Sequence, residues 1–189
     1  MRSRDPAGKV RIIGGRWRGR RLRVPNVSEL RPTGDRIRET LFNWLSPAIA
    51  ESRCLDLFAG SGVLGFECLS RGARDVVLVE RSRDIYEHLQ ALVAQFGEPS
   101  ARIVCADALC WLRERRGPPF DIIFLDPPYH YALLKDVCFR LEQSGQLSPG
   151  GYVYLEQEHG KPATELPSNW TITHEKKAGR VRYYLARRF

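Results

Sequence analysis

No apolar run in this chain approaches the roughly 20 residues that a bilayer-spanning helix needs. The opening Met1-Arg2-Ser3-Arg4-Asp5-Pro6 has no hydrophobic stretch of the kind that directs secretion. Paired cysteines are missing too. Cys54, Cys68, Cys105, Cys110 and Cys138 are odd in number, form no CxxC and sit mostly within apolar segments, so neither a disulfide framework nor a zinc site is indicated. Reduced thiols and a cytoplasmic setting are expected. His88, His130, His159 and His174 are scattered without ligand spacing, so no metal is expected. Acidic residues are scarce in one place only: the first 40 positions hold 12 Lys/Arg against 4 Asp/Glu, whereas the rest hold 18 of each. The whole formal charge of +8 therefore lies in the first fifth of the chain, and all but one of those 12 cations are arginines. A basic arm on a neutral body points to a polyanionic partner. Planar guanidinium groups suit bidentate phosphate and base contacts, and the segment is not low-complexity, which argues against a merely solvated tail.

What is present suffices for one domain with a full core and a small appendage: 189 residues, 43% hydrophobic and 28% charged. Residues 1–10 read as disordered. Residues 11–15 and 21–24 alternate apolar with basic around Arg16-Trp17-Arg18-Gly19-Arg20, which predicts a hairpin with a face of arginines and an aromatic at its tip. A helix follows Arg31-Pro32-Thr33, capped by Thr33 or Asp35, with Ile37, Leu41, Phe42 and Leu45 on one face. From Arg53 onward, apolar runs alternate with amphipathic stretches. Strands are predicted at 53–58, 76–80, 102–105, 120–125, 152–156, 170–176 and 181–187, and helices near 63–71, 83–96, 108–115 and 131–144. Strands without polar alternation, separated by helices, mean an α/β fold with a parallel sheet covered on both faces. The last two strands follow each other without a helix, so the sheet should end in an antiparallel hairpin.

Two stretches carry chemistry. At the end of the run Phe120–Leu125 stands Asp126-Pro127-Pro128-Tyr129. Two consecutive prolines donate no hydrogen bond and hold the backbone extended, leaving their carbonyls as fixed acceptors. A carboxylate and a carbonyl beside a stacking ring suit a planar group with an exocyclic NH2, that is, a nucleobase. The lone pair of such an amine is delocalised into the ring. Two acceptors, the Asp126 carboxylate and the Pro127 carbonyl, would bind its N–H groups and favour a pyramidal nitrogen, able to attack a carbon electrophile about 3 Å away. Tyr129 would stack on the base, worth roughly 1–3 kcal/mol. The bland alternative is a strand running into a Pro-Pro turn.

The second stretch is Asp56-Leu57-Phe58-Ala59-Gly60-Ser61-Gly62-Val63-Leu64-Gly65, a G-x-G-x-x-G between strand and helix, with Glu80 twenty positions after Gly60, where a ribose-binding acid belongs. A NAD-dependent oxidoreductase is one reading. S-adenosylmethionine fits the charges better: Asp56 would face a dinucleotide pyrophosphate but suits a cationic methionine moiety, and Asp107 suits a hydrogen bond to an adenine amine. Nothing near the fourth strand offers hydride chemistry.

Together with Arg11–Arg20, Arg31-Pro32-Thr33 and Asp35–Phe42, these motifs resemble the bacterial RsmD-type 16S ribosomal RNA (guanine-N2)-methyltransferase family over nearly the whole chain. The resemblance implies a class I S-adenosylmethionine-dependent methyltransferase fold, Rossmann-like, with a mostly parallel seven-stranded sheet. Residues 1–46 would be a basic hairpin-and-helix extension for RNA, and 47–189 the catalytic domain. Carried over, it implies that Asp56, Phe58, Gly60, Ser61, Gly62, Glu80, Arg81, Asp107 and Ala108 hold the cofactor. Asp126, Pro127, Pro128 and Tyr129 would handle the target amine, and Arg16, Trp17, Arg18, Arg20, Arg21, Arg31 and Arg36 would contact RNA. The expected substrate is ribosomal RNA or an assembling small-subunit particle, met by a monomer. A DNA adenine-N6 methyltransferase shares the four-residue motif, but no long target-recognition segment follows the core.

Overall fold

The computed structural model describes residues 8–24, 34–127 and 131–189, the backbone alone at 131 and 132. From the amino-terminal side come the strands β1 (Gly8–Arg11) and β2 (Arg21–Val24) and the helix α1 (Asp35–Leu45). Four βα units follow: β3 (Arg53–Asp56) with α2 (Val63–Ser70), β4 (Asp75–Glu80) with α3 (Arg83–Phe96), β5 (Ala101–Cys105) with α4 (Ala108–Glu114), and β6 (Phe120–Leu125) with α5 (Tyr131–Gln143). The chain ends in β7 (Leu147–Glu158), β8 (Trp170–Ala178) and β9 (Val181–Arg188).

The main sheet has the order β5-β4-β3-β6-β7-β9-β8. It is parallel from β5 to β7 and antiparallel where β9 pairs with β7 and β8, as the missing helix between the last two strands predicted. β7 is longer than the predicted 152–156, because Leu147 also pairs with Phe120 ahead of a register shift. β3 stops at Asp56, short of the predicted 58, where the chain turns into the glycine loop. Neighbouring residues of each central strand bury opposite ways. Cys54, Ile122 and Phe124 enter one apolar layer with α1 to α3, and Leu55, Ile123 and Leu125 enter the other with α4 and α5. Burial on both faces is why these strands lack polar alternation.

The hairpin forms, but earlier than predicted. Residues 8–10, expected to be disordered, belong to β1, and Val10 pairs with Leu22. The expected strand over 11–15 gives way to a 3₁₀ turn at Gly15–Trp17. Trp17 is the larger correction. Expected at the tip of the hairpin and in contact with RNA, it is instead 8% exposed, with its ring 4.7 Å from Phe96 and 6.2 Å from Phe66. An indole is among the largest apolar surfaces available, and its burial between α2 and α3 anchors the turn. Ile12, Trp17 and Leu22, with Leu41, Phe42 and Leu45 of α1, share one buried layer with the sheet.

The cap of α1 also differs. Gly34 occupies the N-cap without a side-chain bond, and Asp35 is the first helical residue, accepting from Arg38 at 2.5 Å; Thr33 lies outside the described residues.

Candidate active site

The order of the strands reverses between β3 and β6: the chain builds outward through β4 and β5, then returns to the other side of β3. Asp56 pairs with Phe124 there, so the loops after β3 and β6 leave the carboxyl edge of the sheet side by side, at the crevice where open α/β sheets bind ligands.

The loop after β3 is fixed by its own backbone. Leu57 N–H donates to the Phe124 carbonyl at 3.2 Å and Ala59 N–H to the Val79 carbonyl at 2.9 Å, tying it to both neighbouring strands. Gly62, at φ 74, caps α2, and a Cβ there would lie 2.5 Å from Leu89 Cδ2. A Cβ on Gly65 would lie 2.9 Å from Leu78 Cδ2, so the third glycine lets α2 approach the sheet closely.

Glu80 accepts Gly60 N–H at 2.9 Å through Oε2 and Ser82 N–H at 2.7 Å through Oε1. The carboxylate therefore braces two loops, and each oxygen keeps a lone pair for a hydroxyl. Asp56 is 3% exposed. Burial, and to a lesser degree the nearby Glu80 charge, push its carboxyl up to about 7, against the opposing backbone N–H groups of Gly65 and Phe58. Two buried carboxylates at one strand edge are the environment a cationic ligand relieves. The donor and acceptor set thus fits the sulfonium and amino groups of S-adenosylmethionine, and no pyrophosphate could face Asp56 without repulsion.

The other cofactor candidates spread around this loop. Ser61 is buried, Phe58 half-buried and Arg81 exposed. Asp107 caps α4, its Oδ1 accepting Leu109 N–H at 3.0 Å and Cys110 N–H at 3.1 Å, while the following Ala108 is buried. The cap was not foreseen, although Asp before an apolar helix is its usual signature.

At the end of β6, Asp126 is half-buried and Pro127 buried. Pro128 and Tyr129 lie outside the described residues, as does Arg31. Sequence reasoning missed the wall beside Asp126. In β7, Tyr154 pairs with Phe124, and its hydroxyl donates to Glu156 Oε1 at 2.5 Å. Burial, the Glu156 carboxylate and then Asp126 hold the Tyr154 hydroxyl well above the usual phenol range. Only the β6–β7 register reveals this neighbourhood. Nothing in local periodicity marks it.

The arginines expected to meet RNA are not equivalent. Arg16 is paired with the buried Glu98, and the Arg20 guanidinium lies 3.8 Å from the centre of the Phe96 ring. Arg18, Arg21 and Arg36 are exposed.

Residues 10–187 match the family described as Conserved hypothetical protein 95. Ribosomal RNA small subunit methyltransferase D of Escherichia coli K12 is 44% identical over 182 residues, covering 96% of this chain and 91% of that protein. The same enzyme of Haemophilus influenzae is 44% identical over 181 residues, covering 94% and 93%. The chain belongs to this family. It is a methyltransferase, which removes the oxidoreductase alternative. Among solved structures, yhhF of Escherichia coli superimposes with a TM-score of 0.89 at 42% identity over 96% of this chain and 98% of that one.

Proposed function

We propose that this methyltransferase carries a methyl group from S-adenosylmethionine to the exocyclic N2 of a guanine in small-subunit ribosomal RNA. The relatives above carry small-subunit rRNA methylation in their names, and the observation that supports the amine chemistry is the adjacency of two loops. Asp126 and Pro127 leave the carboxyl edge one strand away from the loop that follows Asp56.

When bound, S-adenosylmethionine supplies an electrophilic methyl carbon whose bonding pair to sulfur departs with the sulfur. Asp56 matches the cationic methionine end, Glu80 the ribose hydroxyls, and Asp107 the adenine amine. The Asp126 carboxylate and the Pro127 carbonyl accept the two N–H groups of the guanine amine and turn its lone pair toward the methyl carbon. After the N–C bond forms, N2 carries one proton too many and releases it to solvent. Orientation of this kind is worth several orders of magnitude when it sets a near-attack geometry.

Incorporation of labelled methyl groups into small-subunit RNA, with mass-spectrometric mapping of the modified nucleoside, tests the reading. Asp126→Ala is expected to lower turnover by about 10²-fold or more while S-adenosylmethionine binding by calorimetry is unchanged. Retention of the wild-type rate, or a methyl group found elsewhere than on guanine N2, ends it.

A further inference from the structure

The opposite edge of the sheet holds a feature the active site does not use. A cavity of about 280 Å³ opens at the amino ends of β3, β4 and β5, lined by Arg53, Arg102, Trp111, Arg115, Arg116 and Pro118 among others. These arginines belong to the part of the chain whose formal charge balances to zero, so composition hides them.

Three of the four are tied to backbone carbonyls. Arg115 Nη2 donates to the Pro118 carbonyl at 2.6 Å and Arg53 Nη1 to the same oxygen at 2.9 Å, and their guanidinium groups lie 4.2 Å and 5.3 Å from the centre of the Phe120 ring. Arg53 also pairs with Asp75 at 3.0 Å. The described residues provide no ion pair for Arg102, Arg115 or Arg116, and Arg102 and Arg116 are exposed. Arg116 Nη1 is tied to the Arg113 and Arg115 carbonyls at 3.0 and 2.9 Å. Burial, then the charges of Arg53 and Arg102, lower the Arg115 pKa, and Asp75 offsets this only in part. Cations are thus held together around a hollow with their planar donors pre-positioned, which is the arrangement an anion stabilises. A half-buried indole completes the wall.

The pocket is far from the chemistry. β6 runs from beside Pro118 to Asp126, a separation of roughly 25 Å in extended chain. A nucleotide flanking the target base does not span that distance and reach beneath the sheet.

We infer that this arginine pocket receives a backbone phosphate from a second segment of folded RNA, remote from the strand that carries the target base. The inference rests on the RNA substrate proposed above. It makes the preferred substrate a large folded RNA or particle rather than a short oligonucleotide.

The test compares Arg102→Ala/Arg116→Ala with wild type and with Lys176→Ala/Lys177→Ala, which removes the same charge from exposed positions on β8, at the far edge of the sheet. Binding to full-length small-subunit RNA should weaken several-fold in the arginine variant, and the slope of log affinity against log salt should fall by about 1 per arginine. Binding to a short stem-loop carrying the target guanine, S-adenosylmethionine affinity and melting temperature should not change. The lysine variant should match wild type throughout. Equal affinity of wild type and arginine variant for the full-length RNA overturns the inference while leaving the proposed function intact. Inorganic phosphate that raises the wild-type melting temperature through these arginines, with no effect of the variant on RNA binding, also overturns it and assigns a free-anion site. Failure of the wild type to bind RNA at all overturns the parent proposal instead.

Discussion

A carboxylate that titrates near neutrality ties cofactor affinity to pH. Asp56 is raised from 3.8 to about 7 in the folded protein. Between those values the folded state holds a proton that the unfolded chain has released, so the ligand-free protein loses stability as pH rises from about 4 to about 7 and levels off above. The span is on the order of 4 kcal/mol for this group alone. Asp56→Asn should flatten that part of the stability profile, read as the difference between the two chemical denaturation curves at each pH. A cationic ligand selects the ionised form, so S-adenosylmethionine affinity measured by calorimetry should fall below pH 7, by up to about tenfold per unit, in wild type only. A wild-type affinity flat from pH 5 to 8 would separate Asp56 from the cationic end of the cofactor. The positions of Asp56, Glu80 and Asp107 along the carboxyl edge were legible because each stands at or just after the end of an apolar run, and the length of that run fixes which residue reaches the strand mouth. Their hydrogen bonds were not: the N-cap of Asp107 and the bracing role of Glu80 depend on backbone N–H groups whose direction no periodicity encodes.

Among the elements, the docking of the hairpin against α1 and α2 was the least legible part. Alternation announced β2, and the 3.6-residue repeat announced α1, but what ties the first arm of the hairpin to α1 and α2 is a buried ion pair between residues 29 positions apart. Arg38 and Glu67 are both 0% exposed, with Nη1 donating to Oε1 at 2.8 Å. Arg38 Nη2 also donates to the Arg11 carbonyl at 3.0 Å, while Glu67 accepts Ile13 N–H at 2.6 Å and Arg71 Nε at 3.3 Å. A charge on the apolar face of α1, beside Ile37, Leu41 and Phe42, was the available signal. Removing Glu67 takes from the buried Arg38 its buried counter-charge and from Ile13 N–H its acceptor, although Arg38 keeps the half-exposed Asp35 and the Arg11 carbonyl. Glu67→Ala should therefore cost about 3–5 kcal/mol in chemical denaturation, and more than the loss of an exposed pair such as Arg83 with Glu87. A cost under about 1 kcal/mol would mean that hydrophobic contacts alone hold the hairpin.

At the scale of the molecule, the direction of the hairpin decides which charges are left for RNA. Trp17 N–H donates to Ser70 Oγ at 2.9 Å and Arg16 pairs with Glu98, so the turn sits at the amino edge of the sheet. β2 then climbs along α3, where the Arg23 carbonyl meets His88 Nε2 at 2.5 Å, so its far end points toward the carboxyl edge. A compositional arm of arginines is thereby split. Arg16 is matched by a buried carboxylate and Arg20 covers an aromatic ring, whereas Arg18, Arg21 and Arg36 face solvent. With Arg102 and Arg116 they give about five phosphate contacts, hence a slope near −4 in log affinity against log salt, and roughly 10²-fold weaker binding at 200 mM than at 50 mM. Arg21→Ala should reduce that slope by about 1. Arg16→Ala removes the same formal charge but releases Glu98 rather than a phosphate, so its slope should stay at the wild-type value while the melting temperature falls. Equal slope changes for the two variants would show that every arginine of the arm reaches RNA, and that the turn leaves α2 and α3 when the complex forms.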